Sequence, residues 1–595
     1  MLQPRRGLAG TAVVAGLALV AAACGGSSKP GATTSTGTGS QGTPVKGGTL
    51  NVLGAGDVDH LDTASAYYTV SWGLMRTFTR QLVTYPNSSD PKRANTIVAD
   101  AATDTGKVSD GGKTYTFTLR DGVKWHLPGG TARPVTSQDF KLGFKRLCNP
   151  VQPTGAPGYF TATIDGMKSY CDAFGKIKSQ SAAGIKQFID THDVSGITTP
   201  DSKTIVFHLT QPAGDFLNIL ALPFSSAAPV EYLNYVPDDP QFRTHTISDG
   251  PYYITQYVAN KSIKLTRNPD WSKSSDPVRG GYVDNINITE GSDEQPVQQQ
   301  IEAGTVDVEF DTGVPTSRVP SLRATGDKKL TFNETGSTNY IVINLHSPNA
   351  GGALKKLQVR QAINYAVDKQ NMIQVAGGAS VASPLGQIIT PPIVGYKKFD
   401  PYSTQNSAGD VTKAKKMLAE AGYPNGLTLK FVYRTKGKAP LYATTLQADL
   451  AKAGIKLTLI PSTPSDFYTK YLQHPASTKA GVWDLAFPGW YPDWQGNGAR
   501  SFFVPLLDGR NYGEGSTDYG DYNNPAVNTL IDKALAANVD KAADIWHQAD
   551  MLTMADAPWV PVFTNKAVNY HSTRTKGWNY FPFSEGPDYT NVWVQ

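Results

Sequence analysis

The stretch from Thr428 to Ile460 limits the fold more than any other. Residues 428–433 read as a strand, and residues 441–453 as a helix with Leu446 and Leu450 on one face. Gly454 stands where a helix stops, and Ile455-Lys456-Leu457-Thr458-Leu459-Ile460 is the next strand. Strand, helix and strand at this spacing make a βαβ unit, which requires a parallel pair of strands. Around it lie further helices: one capped by Asp410, carrying Ala414, Met417 and Leu418 and ended by Gly422 and Pro424, and two more near residues 359–367 and 542–554.

The first half is richer in strands. Residues 49–53 follow the pair Gly47-Gly48, and residues 114–119 alternate Tyr115, Phe117 and Leu119 against three threonines. Thr136-Ser137-Gln138-Asp139 opens a helix in capping-box style, with Phe140, Phe144 and Leu147 at helical spacing. Residues 204–209 put Ile205, Phe207 and Leu209 on one face, and residues 250–257 and 262–267 suit a hairpin. The pattern predicts an α/β chain of more than one lobe.

The N-terminal residues carry an address. Arg5 and Arg6 precede an uncharged run over residues 7–20, then Ala21, Ala22, Ala23 and Cys24. A basic start, a short apolar stretch and small residues at the cut site make a secretory signal over residues 1–23. The run is too short to cross a bilayer core of about 30 Å. The cysteine after small residues resembles a bacterial lipobox, in which the thiol is lipidated and the chain cleaved before it. That reading makes Cys24 the mature N-terminus and an anchor; the plain alternative is an ordinary secretory signal. Residues 25–46, almost without apolar side chains, read as a flexible linker of about 25 Å reach. A Gly-x-Gly-x-x-Gly match at Gly37 to Gly42 falls inside that linker, with no strand before it or helix after it, and carries no nucleotide.

The charge balance, 55 basic against 50 acidic residues, is close to neutral and gives no clustered cationic surface for nucleic acid. Beyond Cys24 only Cys148 and Cys171 remain. An even pair in an oxidising compartment suits a disulfide, which for that loop stabilises by about 3 kcal/mol in the chain-entropy picture. Two buried free thiols are the alternative, and no histidine stands at zinc-ligand spacing from either cysteine.

The parts of a secreted hydrolase are missing from the sequence. There is no Gly-x-Ser-x-Gly elbow and no His-Glu-x-x-His, and the nine histidines are scattered. Gly112-Lys113-Thr114 imitates the end of a phosphate loop at what reads as a strand entrance, where a turn belongs. A pair of carboxylates for glycoside hydrolysis depends on their separation in space, with Asp484 and Asp493 as the candidates.

Several segments together carry a resemblance: Gly47-Gly48-Thr49-Leu50, then Thr114-Tyr115-Thr116-Phe117-Thr118-Leu119-Arg120-Asp121-Gly122-Val123-Lys124-Trp125-His126, then Pro134-Val135-Thr136-Ser137-Gln138-Asp139-Phe140. Gly250-Pro251-Tyr252-Tyr253, Arg267-Asn268-Pro269-Asp270, Val359-Arg360-Gln361-Ala362-Ile363-Asn364-Tyr365-Ala366-Val367-Asp368 and residues 414–423 follow in order. The chain resembles the bacterial extracellular solute-binding proteins of the peptide/nickel class, family 5, which serve ATP-driven importers. The Leu127-Pro128-Gly129-Gly130 turn is longer than the family's usual one. The resemblance implies a two-lobed periplasmic-binding-protein-like α/β fold with a hinge and an extra N-terminal subdomain. Lobe I would take residues 47–81, 201–332 and 561–595, the subdomain 82–200, and lobe II 333–560.

In that family a Gly-Trp-x-x-Asp segment holds the ligand's α-amino group. Here it is Gly489-Trp490-Tyr491-Pro492-Asp493, which makes Asp493 the expected ammonium ligand. The chain departs from many relatives just after, with Gln495-Gly496-Asn497-Gly498 in place of an Asp-Pro. Trp490, Tyr491 and Trp494 flank the acid as expected wall residues, with Tyr67, Tyr68 and Trp72 as further candidates. Closure around an empty cleft would strand the Asp493 carboxylate, which would couple closure to ligand. The reading is therefore a monomeric, lipid-anchored receptor outside the bacterial cytoplasmic membrane. It takes a short peptide and passes it to an ABC transporter permease, with no cofactor, metal, nucleic-acid partner or chemistry. Another solute, such as an oligosaccharide or metal chelate, is the alternative within the fold, and a secreted carbohydrate hydrolase the alternative outside it.

Overall fold

Three main sheets organise the chain in the computed structural model, which describes residues 42–595 apart from 464, 465 and 514. The signal segment, Cys24 and most of the linker lie outside the described residues. The first sheet runs Tyr252–Val258, Ser262–Arg267, Asn285–Thr289, Thr49–Leu53, Val308–Glu309. Thr49–Leu53 is parallel to both its neighbours, while Tyr252–Val258 and Ser262–Arg267 form an antiparallel hairpin. Leu50 and Val52 point into a core with Ile263, Leu265, Ile286 and Ile288, the period-2 burial of a half-covered sheet.

The second sheet contains the βαβ unit. Leu427–Arg434 runs parallel to Ile455–Ser462 in unbroken register, and the helix Ala439–Lys452 lays Ala443, Leu446 and Leu450 across the pair. At one end of this pair the chain crosses itself closely: a Cβ on Gly426, whose φ is +79°, would sit 2.0 Å from the carbonyl oxygen of Gly454. No other residue fits there. The helix Val411–Glu420 is capped by the Asp410 side chain, which accepts from the Lys413 amide.

The third sheet, Lys107–Ser109, Thr114–Thr118, Thr204–His208, Ile197–Thr198, moves a boundary set from sequence. Thr204–His208, assigned above to lobe I, pairs residue for residue with Thr114–Thr118. Phe117, Ile205 and Phe207 then share one core with Phe140 and Phe144. The N-terminal subdomain therefore continues past residue 200, because the strand's apolar face has no other sheet to cover. Asp110–Gly112 forms the turn that enters Thr114–Thr118, which accounts for Gly112-Lys113-Thr114. The helix Ser137–Arg146 carries the full capping box of Thr136 and Asp139. A disulfide joins Cys148, just past that helix, to Cys171 in Met167–Phe174.

The lobes are joined by long strands. Trp559–Tyr570 pairs with Thr338–Ile343 at one end and with Leu330–Glu334 at the other. Val560, Val562 and Phe563 lie in the core of the second lobe, whereas Tyr570 packs with Leu53 and Val297 of the first. This pair is the hinge.

Lobe I meets the subdomain at a buried ionic knot. Arg80, Arg279, Asp100 and Asp276 all have side chains with no exposure. Arg279 contacts Asp100 at 2.8 Å and Asp276 at 3.3 Å, and Arg80 reaches Asp100 at 2.9 Å. Burial pushes the Asp276 carboxyl up, but Arg279 and Arg80 overcome it and hold the group below its ordinary value.

Candidate ligand-binding cleft

The segment that begins at Asp484 changes role along its length. Asp484 itself is fully buried and accepts from Ser347, from Asn349 Nδ2 at 3.0 Å and from the Lys430 amide at 2.7 Å. It ties loops of the second lobe together and reaches no open space, so it cannot pair with Asp493 across a sugar. Five residues on, Gly489–Trp490 adds a short strand to Thr338–Ile343 and delivers Trp490, Tyr491, Pro492 and Asp493 to the wall of a cavity of about 870 Å³. Tyr67, Tyr68 and Trp72 line the same cavity from the start of the helix Thr69–Phe78. Six of the seven ligand-contact candidates thus share one space.

The seventh does not. Trp494 is 1 % exposed and lines no part of the cavity. Its indole N–H donates to Asn497 O at 2.8 Å, and its ring meets Tyr159 edge-on at 5.1 Å. The turn after Pro492 aims Asp493 at the cleft and the next side chain at the core. Trp494 supports a residue that touches Asp493 instead of lining the cleft.

Asp493 is held across the cleft by two phenols. Tyr67 donates to Oδ1 at 3.0 Å, and Tyr159, in the short helix Pro157–Thr161, donates to Oδ2. Both Asp493 oxygens therefore have hydrogen-bond donors from within the chain. Two neutral donors do not replace a counter-charge. Burial pushes the carboxyl up to about 6 against the opposing pull of Tyr159 and Tyr67. Each oxygen keeps a free lone pair for a further donor. Behind the phenols, Arg500 from the second lobe reaches Asp215 at 2.9 Å and Thr163 at 3.1 Å in the subdomain.

The aromatic wall is uneven. Tyr68 is 63 % and Tyr491 42 % exposed, whereas Trp72 is 4 % exposed and packs against Tyr67, Phe224 and Phe583. Trp490 is half-buried, with its indole N–H on Ser501 O. Tyr68 and Tyr491 offer free faces; Trp72 and Trp490 are largely structural walls.

Sequence reasoning missed Tyr159, for which no local signal exists, and most of the cleft's charge. Asp57, Glu309, Asp311 and Glu585 also line the cavity, against one cation, Lys566. Part of this was visible: in Val306-Asp307-Val308-Glu309-Phe310-Asp311 acids alternate with apolar residues, the mark of a strand with one charged face. Among the described residues no cluster of three or more His, Cys, Asp or Glu side chains is arranged to hold a metal.

Residues 96–514 match the family model for bacterial extracellular solute-binding proteins, family 5, middle region. The chain belongs to this family. Curated relatives of this family 5 protein include the di/tripeptide-binding protein 4 of Pseudomonas aeruginosa, 28 % identical over 80 % of this chain and 83 % of that one. The heme-binding protein A of Haemophilus influenzae is 26 % identical over 83 % of each chain. Among solved structures, the clavulanic acid biosynthesis oligopeptide binding protein 2 superposes with a TM-score of 0.82 at 26 % identity, covering 92 % of this chain and 96 % of that one. The fold is accordingly two-lobed α/β with a hinge and an extra subdomain.

Proposed function

We propose that this family 5 protein captures short peptides between its lobes, holding the ligand's N-terminal ammonium on Asp493, and hands them unaltered to the permease of an ABC importer. It acts as a monomer, tethered through Cys24 to the outer face of the cytoplasmic membrane. The observation that carries the reading is Asp493 itself: a carboxylate at the cleft wall, hydrogen-bonded on both oxygens by neutral phenols and in no ion pair among the described residues. A charge-assisted hydrogen bond from an ammonium in such a place contributes about 1.5–3 kcal/mol. A cavity of about 870 Å³ suits a small ligand and not a folded partner. The names of the relatives point the same way, two of those above being peptide binders.

The test is calorimetry on protein stripped of endogenous ligand by unfolding and refolding, with trialanine and its N-acetylated form. Trialanine should bind about ten- to a hundredfold tighter. Equal affinities would remove Asp493 from this role. For the anchor, Cys24→Ser should release the protein from membranes, and undiminished retention would exclude lipidation.

A further inference from the structure

The cleft has a second charged region that the amine reading does not use. Glu309 comes from the edge strand of the first lobe's sheet and is 7 % exposed. Glu585 stands at the turn between Tyr580–Phe581 and Gly586–Pro587. Asn569, on the hinge strand Trp559–Tyr570, links them: its Nδ2 donates to Glu309 Oε1 at 3.1 Å and to the Glu585 carbonyl at 2.9 Å. All three residues line the cavity.

What the two acids lack is a counter-charge, and what Asn569 lacks is a donor to its oxygen. Asn569 is 4 % exposed, yet its Oδ1 has no hydrogen-bond partner. The Glu585 carboxylate receives no hydrogen bond and no cation among the described residues, and burial, reinforced by the charge of Glu309, pushes it up to about 7. Glu309 has neutral partners among the described residues: Asn569, the Gly313 amide at 3.4 Å and the Thr312 backbone. The other rim acids also meet neutral donors, Asp311 the Ala55 and Gly56 amides at 2.7 and 2.9 Å and Asp57 the Tyr257 hydroxyl at 2.6 Å, but neither is hydrogen-bonded to Asn569. Lys566, the one cation among the described residues lining the cleft, is drawn to Glu334 at 3.5 Å. Two carboxylates without a cation among the described residues, and a side chain with an orphan amide oxygen, line one cavity.

Buried polar groups without partners are rare in native proteins, and an acceptor-only cluster asks for a ligand made of donors. Resting on the peptide reading above, we infer that Glu309, Glu585 and Asn569 Oδ1 form a second subsite that takes a cationic side chain of the bound peptide, a guanidinium before an ammonium. A guanidinium is planar and carries five N–H donors, so it can engage a carboxylate with two parallel bonds and still reach a neighbouring amide oxygen. A lysine ammonium supplies charge and three donors in a more compact group. The preferred cargo is thus a short basic peptide with its N-terminus on Asp493.

The test uses the full chain and tripeptides in pairs that differ only in charge: Ala-Arg-Ala against Ala-citrulline-Ala, and Ala-Ala-Arg against Ala-Ala-citrulline, each with its N-acetylated form. Citrulline keeps the shape of arginine and removes the charge. In at least one pair the arginine peptide should bind about tenfold tighter or more. That preference should fall below about threefold in Glu585→Gln, which lies on a partly exposed turn, and in Glu309→Gln as an independent variant. Equal binding of arginine and citrulline peptides in both pairs, with N-acetylation still harmful, would overturn the subsite and leave the Asp493 reading standing. Loss of the N-acetyl effect with the arginine preference intact would overturn the Asp493 reading alone. Binding of none of the peptides would overturn both.

Discussion

The ionic knot and the cleft are two ways of burying acid. In the knot Asp100 and Asp276 lie fully buried against Arg80 and Arg279, and the pairing holds Asp276 well ionised. In the cleft Asp493 meets two tyrosines and Glu309 an asparagine and backbone groups, and among the described residues neither they nor Glu585 pair with an arginine. Their carboxyls are pushed upward by burial. The knot completes its charges within the chain and fixes geometry. The cleft leaves its charges incomplete, and under the proposed function a solute would supply what is missing.

Breaking the knot should have the largest effect. Arg279→Met leaves two buried carboxylates short of a cation and should destabilise the protein by about 3–5 kcal/mol, read as a fall in the urea midpoint. A change under about 1 kcal/mol would mean the knot is not a structural requirement. Asp493→Asn should do the reverse. Ligand-free stability at neutral pH should hold or rise slightly, while affinity for trialanine drops by about 1.5–3 kcal/mol in calorimetry. A stability loss as large as that of the knot variant would erase the distinction between the two regions.

Acid should separate them by sign. Asp276 is lowered in the folded state, so its contribution to stability is present above the ordinary carboxyl range and lost as pH falls. Asp493 is raised to about 6, so the folded state favours its protonated form. Its contribution is fullest below about pH 4 and is lost as pH rises through about 6. Trialanine binding needs the ionised acid and the protonated amine, whose ordinary value is about 8. Affinity should therefore plateau between about pH 6 and 8 and fall on either side, and the lower arm should vanish in Asp493→Asn. The smallest effect belongs to Tyr159→Phe, which removes one neutral donor from the carboxylate. It should cost about 1 kcal/mol of affinity and move the lower arm to higher pH, measured by calorimetry across the range.

Local pattern carried the sequence reading wherever a structure is local. The run from Leu427 to Ser462 has its periodicity, its glycine stop and its parallel register written within three dozen residues. Thr204–His208 was seen as a strand but placed in the wrong body, because its partner, Thr114–Thr118, lies some ninety residues away and alternation does not name a partner. Asp493, Trp490 and Tyr491 came from a short family motif, and the same motif reading overran by one residue at Trp494, where a turn reverses the side chain. Tyr159 was illegible: its contact with Asp493 spans 334 residues. Glu309 and Glu585 were ordinary acids in the sequence. What marks them is the absence of a cation among the described residues, and that is known only once the neighbours have been placed.

The first lobe is assembled from the two extremes of the described chain. Leu50 and Val52 share a core with Tyr589, Val592 and Val594, and Thr575–Lys576 pairs with Trp593–Val594. Contacts of such sequence separation form late and slowly. The strand Thr49–Leu53 gains its hydrogen-bonded neighbours from residues 285–289 and 308–309, but its apolar cover is complete only with residues 589–594. Loss of residues 589–594 would uncover part of the apolar side of Thr49–Leu53 and leave the rest under Ile263, Leu265, Ile286 and Ile288.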